Sequence, residues 1–208
     1  FCDYHTDFNK NSEACFKINE KELNKVTGIY KTLEIINSGS FTELDEKTMK
    51  KIEEVCILKG ITKLHFESHW LKKDNIHILK EHFKKLGINV KLKIGVETFD
   101  YYFRESYLKK GMENISPEEI SKYFDEICLL QGIAGQSVEF MKKDIETGLK
   151  YFERVCINIM QKNTTHILPD PNVKKIFLEE IYPIYKDNER IDILLNNTDF
   201  GVGGEKND

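Results

Sequence analysis

An α/β fold, a partial (β/α)6 TIM-like barrel of parallel strands covered by helices, is what this sequence predicts. Three observations carry the expectation. Short β-branched runs alternate with stretches of helical periodicity along the whole chain, the strands read as near-continuous apolar runs, and no long linker or low-complexity segment breaks the rhythm. A strand-helix alternation this regular favours a barrel over a doubly wound sheet, and in a barrel the C-terminal ends of the strands carry the chemistry. At 208 residues the chain is expected to form one domain, residues 1–208.

The elements follow in order. Asn19 to Gly28 is a first helix candidate, and Leu33 to Ile36 is a strand running into the small polar turn Asn37-Ser38-Gly39-Ser40. Asp45 is placed to cap a helix whose apolar side is marked by Met49, Ile52, Val55 and Cys56, and Gly60 stops it. Lys63 to Phe66 is the second strand, and Asp74 to Leu86 a helix closed by Gly87. Val90 to Val96 is the third strand, followed by a helix from Phe99 to Lys109 closed by Gly111. Ser116-Pro117-Glu118-Glu119 reads as a capping box with proline at the first helical position, for a helix reaching Phe124. Ile127 to Leu130 is the fourth strand, ending in Gln131-Gly132-Ile133-Ala134-Gly135-Gln136, and the next helix reaches Phe152. Val155 to Met160 is the fifth strand. A polar loop through Pro169 and Pro171 leads to a helix that Pro183 bends or ends, and Ile191 to Leu195 is the sixth strand.

Composition excludes several classes of function. Acidic residues outnumber basic ones by 35 to 31 and Lys is scattered over the helical stretches, so the basic footprint that duplex nucleic acid demands is absent. No apolar run approaches the ~18–20 residues of a membrane helix. Neither a nucleic acid nor a membrane is therefore expected as partner. Five cysteines, an odd number spread over a chain with no secretory leader, do not read as a disulfide framework, which favours a reducing, cytoplasmic location. Cys56, Cys128 and Cys156 stand at apolar positions where cysteine behaves as a small core residue.

Unusual residues concentrate at the strand ends: Asn37 to Ser40, His65 to Trp70, Glu97 and Thr98, Gly132 to Gln136, Gln161 to His166, and Asn196 to Asp199. His65, Glu67 and His69 are spaced by two, so a strand continuing through them would place all three on one face. That is the donor set of a two-histidine, one-carboxylate metal centre, and it leaves open a metal-dependent barrel hydrolase. A non-catalytic barrel that binds a base or nucleoside is a third possibility.

Taken together, Phe1-Cys2, Ser38-Gly39-Ser40-Phe41-Thr42-Glu43, Gly95-Val96-Glu97-Thr98 and Gly132-Ile133-Ala134-Gly135-Gln136 resemble the radical S-adenosylmethionine (SAM) superfamily over nearly the whole chain. The resemblance implies a Cys-x3-Cys-x2-Cys loop with an aromatic residue before its third cysteine, and Phe1-Cys2 matches that last pair. The two partner cysteines are then expected three and seven residues upstream of Cys2, together with a further first strand. Three thiolates would hold a [4Fe-4S] cluster and leave one iron for the amino and carboxylate groups of SAM. The resemblance assigns Asn37, Ser38, Gly39 and Ser40 to the methionine part, Glu97 to the ribose hydroxyls, and Ile133, Gly135 and Met160 to the adenine side. Phe1 would give a backbone contact to the adenine edge. It further implies a 5′-deoxyadenosyl radical that takes a hydrogen atom from substrate, and an electron donor such as flavodoxin or ferredoxin.

Within the superfamily, Leu64 to Trp70, Gly95 to Asp100 and Asn196 to Gly201 resemble the members that cleave queuine and release 7-aminomethyl-7-deazaguanine. The resemblance implies a small-molecule, deazaguanine-type substrate. Glu67 or Asp199 would pair with its guanine-like edge, and Trp70 or Phe99 would stack on the bicycle. Asn158, Gln161, Asn163 and His166 would meet the diol, and His69 or His166 would protonate the departing nitrogen.

Overall fold

A computed structural model describes residues 9–37 and 39–196. The expectations attached to Phe1, Cys2, Ser38 and Asp199 lie outside the described residues. The chain groups into two compact units, Tyr4–Ile94 and, apart from the first three residues, Gly95–Asp208.

In the first unit, strands β1 (Thr32–Ile35) and β2 (Lys63–Glu67) pair in parallel, and β2 pairs in parallel with β3 (Asn89–Glu97). Helix α1 is Ser12–Leu23, earlier than the expected Asn19 start, because Asn11 caps it through its side chain and the amide of Ala14. Helix α2 (Glu46–Lys59) has the expected ends: the Asp45 carboxylate accepts the Thr48 N–H at 2.9 Å, and Gly60 closes it in the left-handed conformation. A 3-10 turn, Trp70–Asn75, takes up the first part of the expected third helix, which leaves α3 as Ile76–Lys85. The core of this unit lies between helices and strands. Leu64, Phe66, Phe83 and Leu92 are wholly buried, and the Phe66 ring sits 6.0 Å from both Phe41 and Phe83.

Strands β2 and β3 are alternating rather than continuously apolar. Leu64 and Phe66 face the core, while His65 is also buried and Glu67 half-buried on the other face. On β3, Leu92 and Ile94 are core residues and Lys93 between them, 2% exposed, is paired with Glu34 of β1. A buried ion pair of this kind marks a polar face that the apolar reading of these strands does not anticipate.

In the second unit, β4 (Glu126–Gln131), β5 (Arg154–Ile159) and β6 (Ile191–Leu194) pair in parallel, with Cys128 opposite Cys156 and Cys156 opposite Asp192. Helix α5 (Val138–Tyr151) covers β4 and β5 from a Ser137 cap. The expected helix from Phe99 to Lys109 is shortened to 101–107, most of it the π-helical turn Phe103–Tyr107, and α4 is the short segment Pro117–Ser121 behind its Ser116 cap. The last helical stretch divides into α6 (Pro171–Ile176), a π-helical turn (Phe177–Ile181) and α7 (Tyr182–Tyr185). Pro183 lacks the N–H that would continue an α-helical ladder, which accounts for the wider turn before it. Ile127, Leu129, Ile145, Val155, Ile157, Phe177 and Ile181 form the wholly buried core here. No described helix is long and apolar enough to cross a membrane.

Two side-chain positions fix α5 against this unit. A Cβ at Gly148 would fall 2.8 Å from Ile127 Cδ1 and 2.8 Å from Val155 Cγ2, so the helix rests directly on the sheet. Asp144, 4% exposed, accepts the Phe99 N–H at 2.9 Å and so ties α5 to the chain leaving β3. Burial pushes the Asp144 carboxyl up to about 6, against the pull of its hydrogen bonds from Phe99 and Thr98.

Helix propensity favours Gly148→Ala by about 1 kcal/mol, whereas overpacking costs about 1–3 kcal/mol. The expected outcome of urea titration is a net loss of stability, and a gain would mean that α5 does not sit this close. For Asp144 the folded chain holds the proton more tightly than the unfolded one, so stability falls as pH rises from the ordinary carboxyl value of 3.8 to about 6 and levels off above. The fall is on the order of 2–3 kcal/mol. Urea midpoints between pH 4 and 7 should show this slope, and Asp144→Asn should flatten it.

Candidate cofactor and substrate site

The residues singled out at the strand ends are built differently in the two units. After β1, Asn37 donates its side-chain N–H to the Ser40 carbonyl at 3.1 Å, which closes a tight turn. Its Oδ1 is buried and has no partner among the described residues. At Gly39 a Cβ would meet the Glu43 carboxylate, which would have to swing away, so glycine lets that carboxylate lie against the turn. That carboxylate in turn accepts the Ser40 N–H at 3.3 Å, and Ser40 Oγ accepts the His69 N–H at 2.9 Å. The turn after β1 is thereby tied to the end of β2. It offers a bare backbone and an unmatched buried acceptor, a cradle suited to an ammonium or another small polar donor.

Beyond β2, the three residues of the proposed metal set separate. The strand stops at Glu67, and His69 turns away as the cap of the 3-10 segment, its Nδ1 accepting the Leu71 N–H at 3.3 Å. His65 stays in the strand and is 4% exposed. Among the described residues no three His, Cys, Asp or Glu side chains are grouped to hold a metal ion. The spacing of two keeps side chains on one face only while the strand lasts, and here it does not last. The metal-dependent hydrolase loses its centre on that geometry. Trp70 is 6% exposed with the Lys73 ammonium 5.1 Å from its ring centroid, so one face of the indole is already covered.

In the other unit Glu97 ends β3 with a left-handed backbone, φ 67°, and is 7% exposed. A carboxylate held in this way on a residue other than glycine is the kind of strain that gathers at functional sites. Lys110 Nζ lies 2.7 Å from its Oε1. Phe99 is stacked on Phe152 at 6.2 Å, toward the α5 side of the unit. After β4, Gly132 and Gly135 have φ of 90° and 94°, which side chains rarely tolerate. Gln136 sets the loop they make: its Oε1 accepts the Ile133 N–H at 3.0 Å and its Nε2 donates to the Leu130 carbonyl at 2.8 Å. Ile133 and Met160 are brought together, buried in one apolar cluster with Leu108, Leu130 and Ile167. An apolar wall beside a preformed glycine loop suits one side of a flat heterocycle.

The residues after β5 are mostly committed to the fold. Gln161 Nε2 donates to the Ile159 and Leu195 carbonyls at 3.0 and 2.6 Å, and Asn163 Oδ1 accepts both the amide and the hydroxyl of Thr165. Asn158 stands in register between Leu130 and Leu194, half-buried, and His166 is exposed. None of the four described cysteines, Cys15, Cys56, Cys128 and Cys156, is in a disulfide, and burial pushes the thiol of Cys56 up to about 11. A thiol shifted that way is a poor metal ligand, consistent with a core role.

Sequence reasoning does not single out Arg104, Lys110 or Asp144. One signal is present in the sequence. Arginine occurs at only three positions, Arg104, Arg154 and Arg190, in a chain otherwise supplied with lysine. Each of the three makes hydrogen bonds that need a fixed fork of donors.

No protein-family model and no curated protein matches the chain. Among solved structures, a queuine lyase from Clostridium spiroforme, bound to SAM and queuine, is similar to it with a TM-score of 0.92 and 42% sequence identity. The likeness covers 98% of this chain and 87% of that one. The fold is accordingly the α/β partial barrel of six parallel strands that the sequence predicts. An identity of this size over almost the entire length places the chain in the queuine lyase family of radical SAM enzymes.

Proposed function

We propose that this chain is a radical SAM lyase that breaks a C–N bond of queuine and releases 7-aminomethyl-7-deazaguanine. The observation that carries the reading is membership of a family in which a structure has been solved with SAM and queuine in place. The turn after β1 supports it. An unmatched buried Asn37 Oδ1 beside a glycine, against which the Glu43 carboxylate lies, fits the amino group of a bound methionine moiety.

In this reading Cys2 is one of three thiolates on a [4Fe-4S] cluster, with its companions upstream. Asn37, Ser38, Gly39 and Ser40 hold the methionine part of SAM, Glu97 accepts from the ribose hydroxyls, and Ile133, Gly135 and Met160 flank the adenine beside a contact from Phe1. Once bound, the cluster and SAM would supply removal of a hydrogen atom from the ring carbon next to the one that bears the amine, which puts the C–N bond β to the radical and lets the protonated amine leave with its aminomethyl base. The protein's own task is to orient the substrate, exclude water and provide a proton. Glu67 and Asp199 are the acceptors for the guanine-like edge, Trp70 and Phe99 the aromatic candidates beside it, and Asn158 the polar group for the diol. Gln161 and Asn163 serve the diol less directly, by shaping the loop.

For the departing nitrogen, His69 is a better acid than His166. His69 is half-buried, and its backbone N–H is held by Ser40 Oγ at 2.9 Å beside the turn after β1. An exposed His166 has no such restraint. A small one-electron donor such as flavodoxin or ferredoxin and a cytoplasmic location belong to the same reading, as does the absence of nucleic-acid and membrane partners.

The full-length protein, reconstituted without oxygen and given SAM, a reductant and queuine, should yield 5′-deoxyadenosine and 7-aminomethyl-7-deazaguanine together. Slow 5′-deoxyadenosine without the base would sink the substrate assignment. Cys2→Ala should lose iron, sulfide and both products. His69→Ala should slow base release by about 10²-fold or more while SAM binding holds.

A further inference from the structure

The segment between β3 and α4 contains a network that the reaction outlined above leaves unused. Arg104 is 1% exposed and fully engaged: Nη1 donates to the Thr98 carbonyl at 3.3 Å, Nη2 to the Glu113 carbonyl at 2.6 Å and Nε to Glu105 at 2.8 Å. The Glu105 carboxylate then accepts the amides of Gly111 and Met112 at 2.8 and 3.1 Å. The Lys110 N–H donates to the Arg104 carbonyl at 3.1 Å. The backbone on both sides of Lys110 is therefore held, and it is held to the residue that follows Glu97.

The result is a close pairing of the Lys110 ammonium with Glu97, both side chains largely buried at 15% and 9% exposure. Gly95 makes room for it. A Cβ there would fall 2.7 Å from Glu97 Oε1 and 3.0 Å from Lys110 Nζ. An ordinary surface ion pair involves no buried guanidinium strut and no cleared space beneath it. A carboxylate retains lone pairs after accepting one such bond, so the ammonium can orient Glu97 without using it up.

We propose that Lys110 is a positioning residue for SAM: delivered by the Arg104–Glu105 strut, it fixes the Glu97 carboxylate in the orientation that grips the ribose hydroxyls. This rests on the reading of Glu97 as the ribose ligand. Lys110 acts through Glu97, which separates it from a residue that touches the cofactor itself.

The test is equilibrium binding of SAM to the reconstituted holoenzyme by calorimetry, for Lys110→Met, Glu97→Gln and the double variant, with thermal melting of each. Lys110→Met should weaken binding about tenfold. It should also narrow the preference for SAM over its 2′-deoxyribose analogue, a readout that general loosening of the loop would not move selectively. In the Glu97→Gln background the same substitution should cost nothing further, because the two residues act as one unit. Lys110→Arg, which keeps the cation, should retain most of the affinity and guards against a variant that merely unfolds. Equal losses from Lys110→Met in both backgrounds, or unchanged binding in Lys110→Met alone, would overturn the proposal. Unchanged binding and unchanged 2′-hydroxyl preference in Glu97→Gln would instead overturn the ribose reading beneath it.

Discussion

Leu64 and Phe66 are wholly buried, while His65 between them and Glu67 after them belong to the opposite face of the same strand. The period of two along β2 and β3 thus separates an apolar side, packed under helices, from a polar side that carries His65, Lys91, Lys93 and Glu97. A slip of one residue would drive Lys93 into the helix layer and Leu92 out of it, so the apolar side also fixes where every polar group stands. Lys93 is 2% exposed and survives there because Glu34 of β1 pairs with it. Removing one partner of such a pair costs about 3–5 kcal/mol, more than most surface contacts contribute. In the second unit a more exposed pair, Arg154 and Asp192 at 2.8 Å, joins β5 and β6.

The polar side leads to the strand ends, where backbone groups leave the ladder and need new partners. Buried polar side chains provide them: Asp144 takes the amide of Phe99, Gln136 takes the amide of Ile133 and the carbonyl of Leu130, and Arg104 takes the carbonyls of Thr98 and Glu113. Each of these is a side chain whose hydrogen bonds go to shaping a loop. The loops are therefore fixed by the protein before any ligand arrives, which lowers the ordering cost of binding. Asn37 Oδ1, like Gln131 Oε1 and Asp144 Oδ2, is a buried acceptor that nothing among the described residues completes, and it is the one that stands in the turn after β1.

Much of this is legible in the sequence, and for identifiable reasons. The six strands stand out because short apolar runs bounded by turn residues, in a chain that alternates them with helical periodicity, rarely form anything but buried strands. Asp45, Ser116 and Gly60 mark helix ends because capping is local chemistry. Gly39 marks a close approach of the Glu43 carboxylate to the backbone, and Gly132 and Gly135 mark a left-handed backbone. The misses share one cause. The metal set at His65, Glu67 and His69 presumes that the strand continues, and only tertiary packing decides where a strand stops. The helix expected from Phe99 to Lys109 has the right periodicity and forms only over 101–107, mostly as a π-helical turn, because periodicity does not report where the backbone must bend to bring Lys110 over Glu97.

That shortened helix accounts for the network around Arg104. A strand-to-strand crossover in an α/β sheet usually returns on a long helix whose own ladder satisfies its backbone. Here the passage from β3 to β4 has a short helical segment, 101–107, that is mostly π-helical, and a five-residue helix, both too short to be stable on local bonding. Side chains must then do what a ladder would have done: Arg104 and Glu105 satisfy carbonyls and amides of the turn and close it on itself. A helix in this place would have presented its residues on a fixed spiral and could not have laid an ammonium beside a carboxylate two residues past a glycine. The irregular crossover gives up regular hydrogen bonding and, through one buried guanidinium, gains freedom to place a charge at the end of the strand.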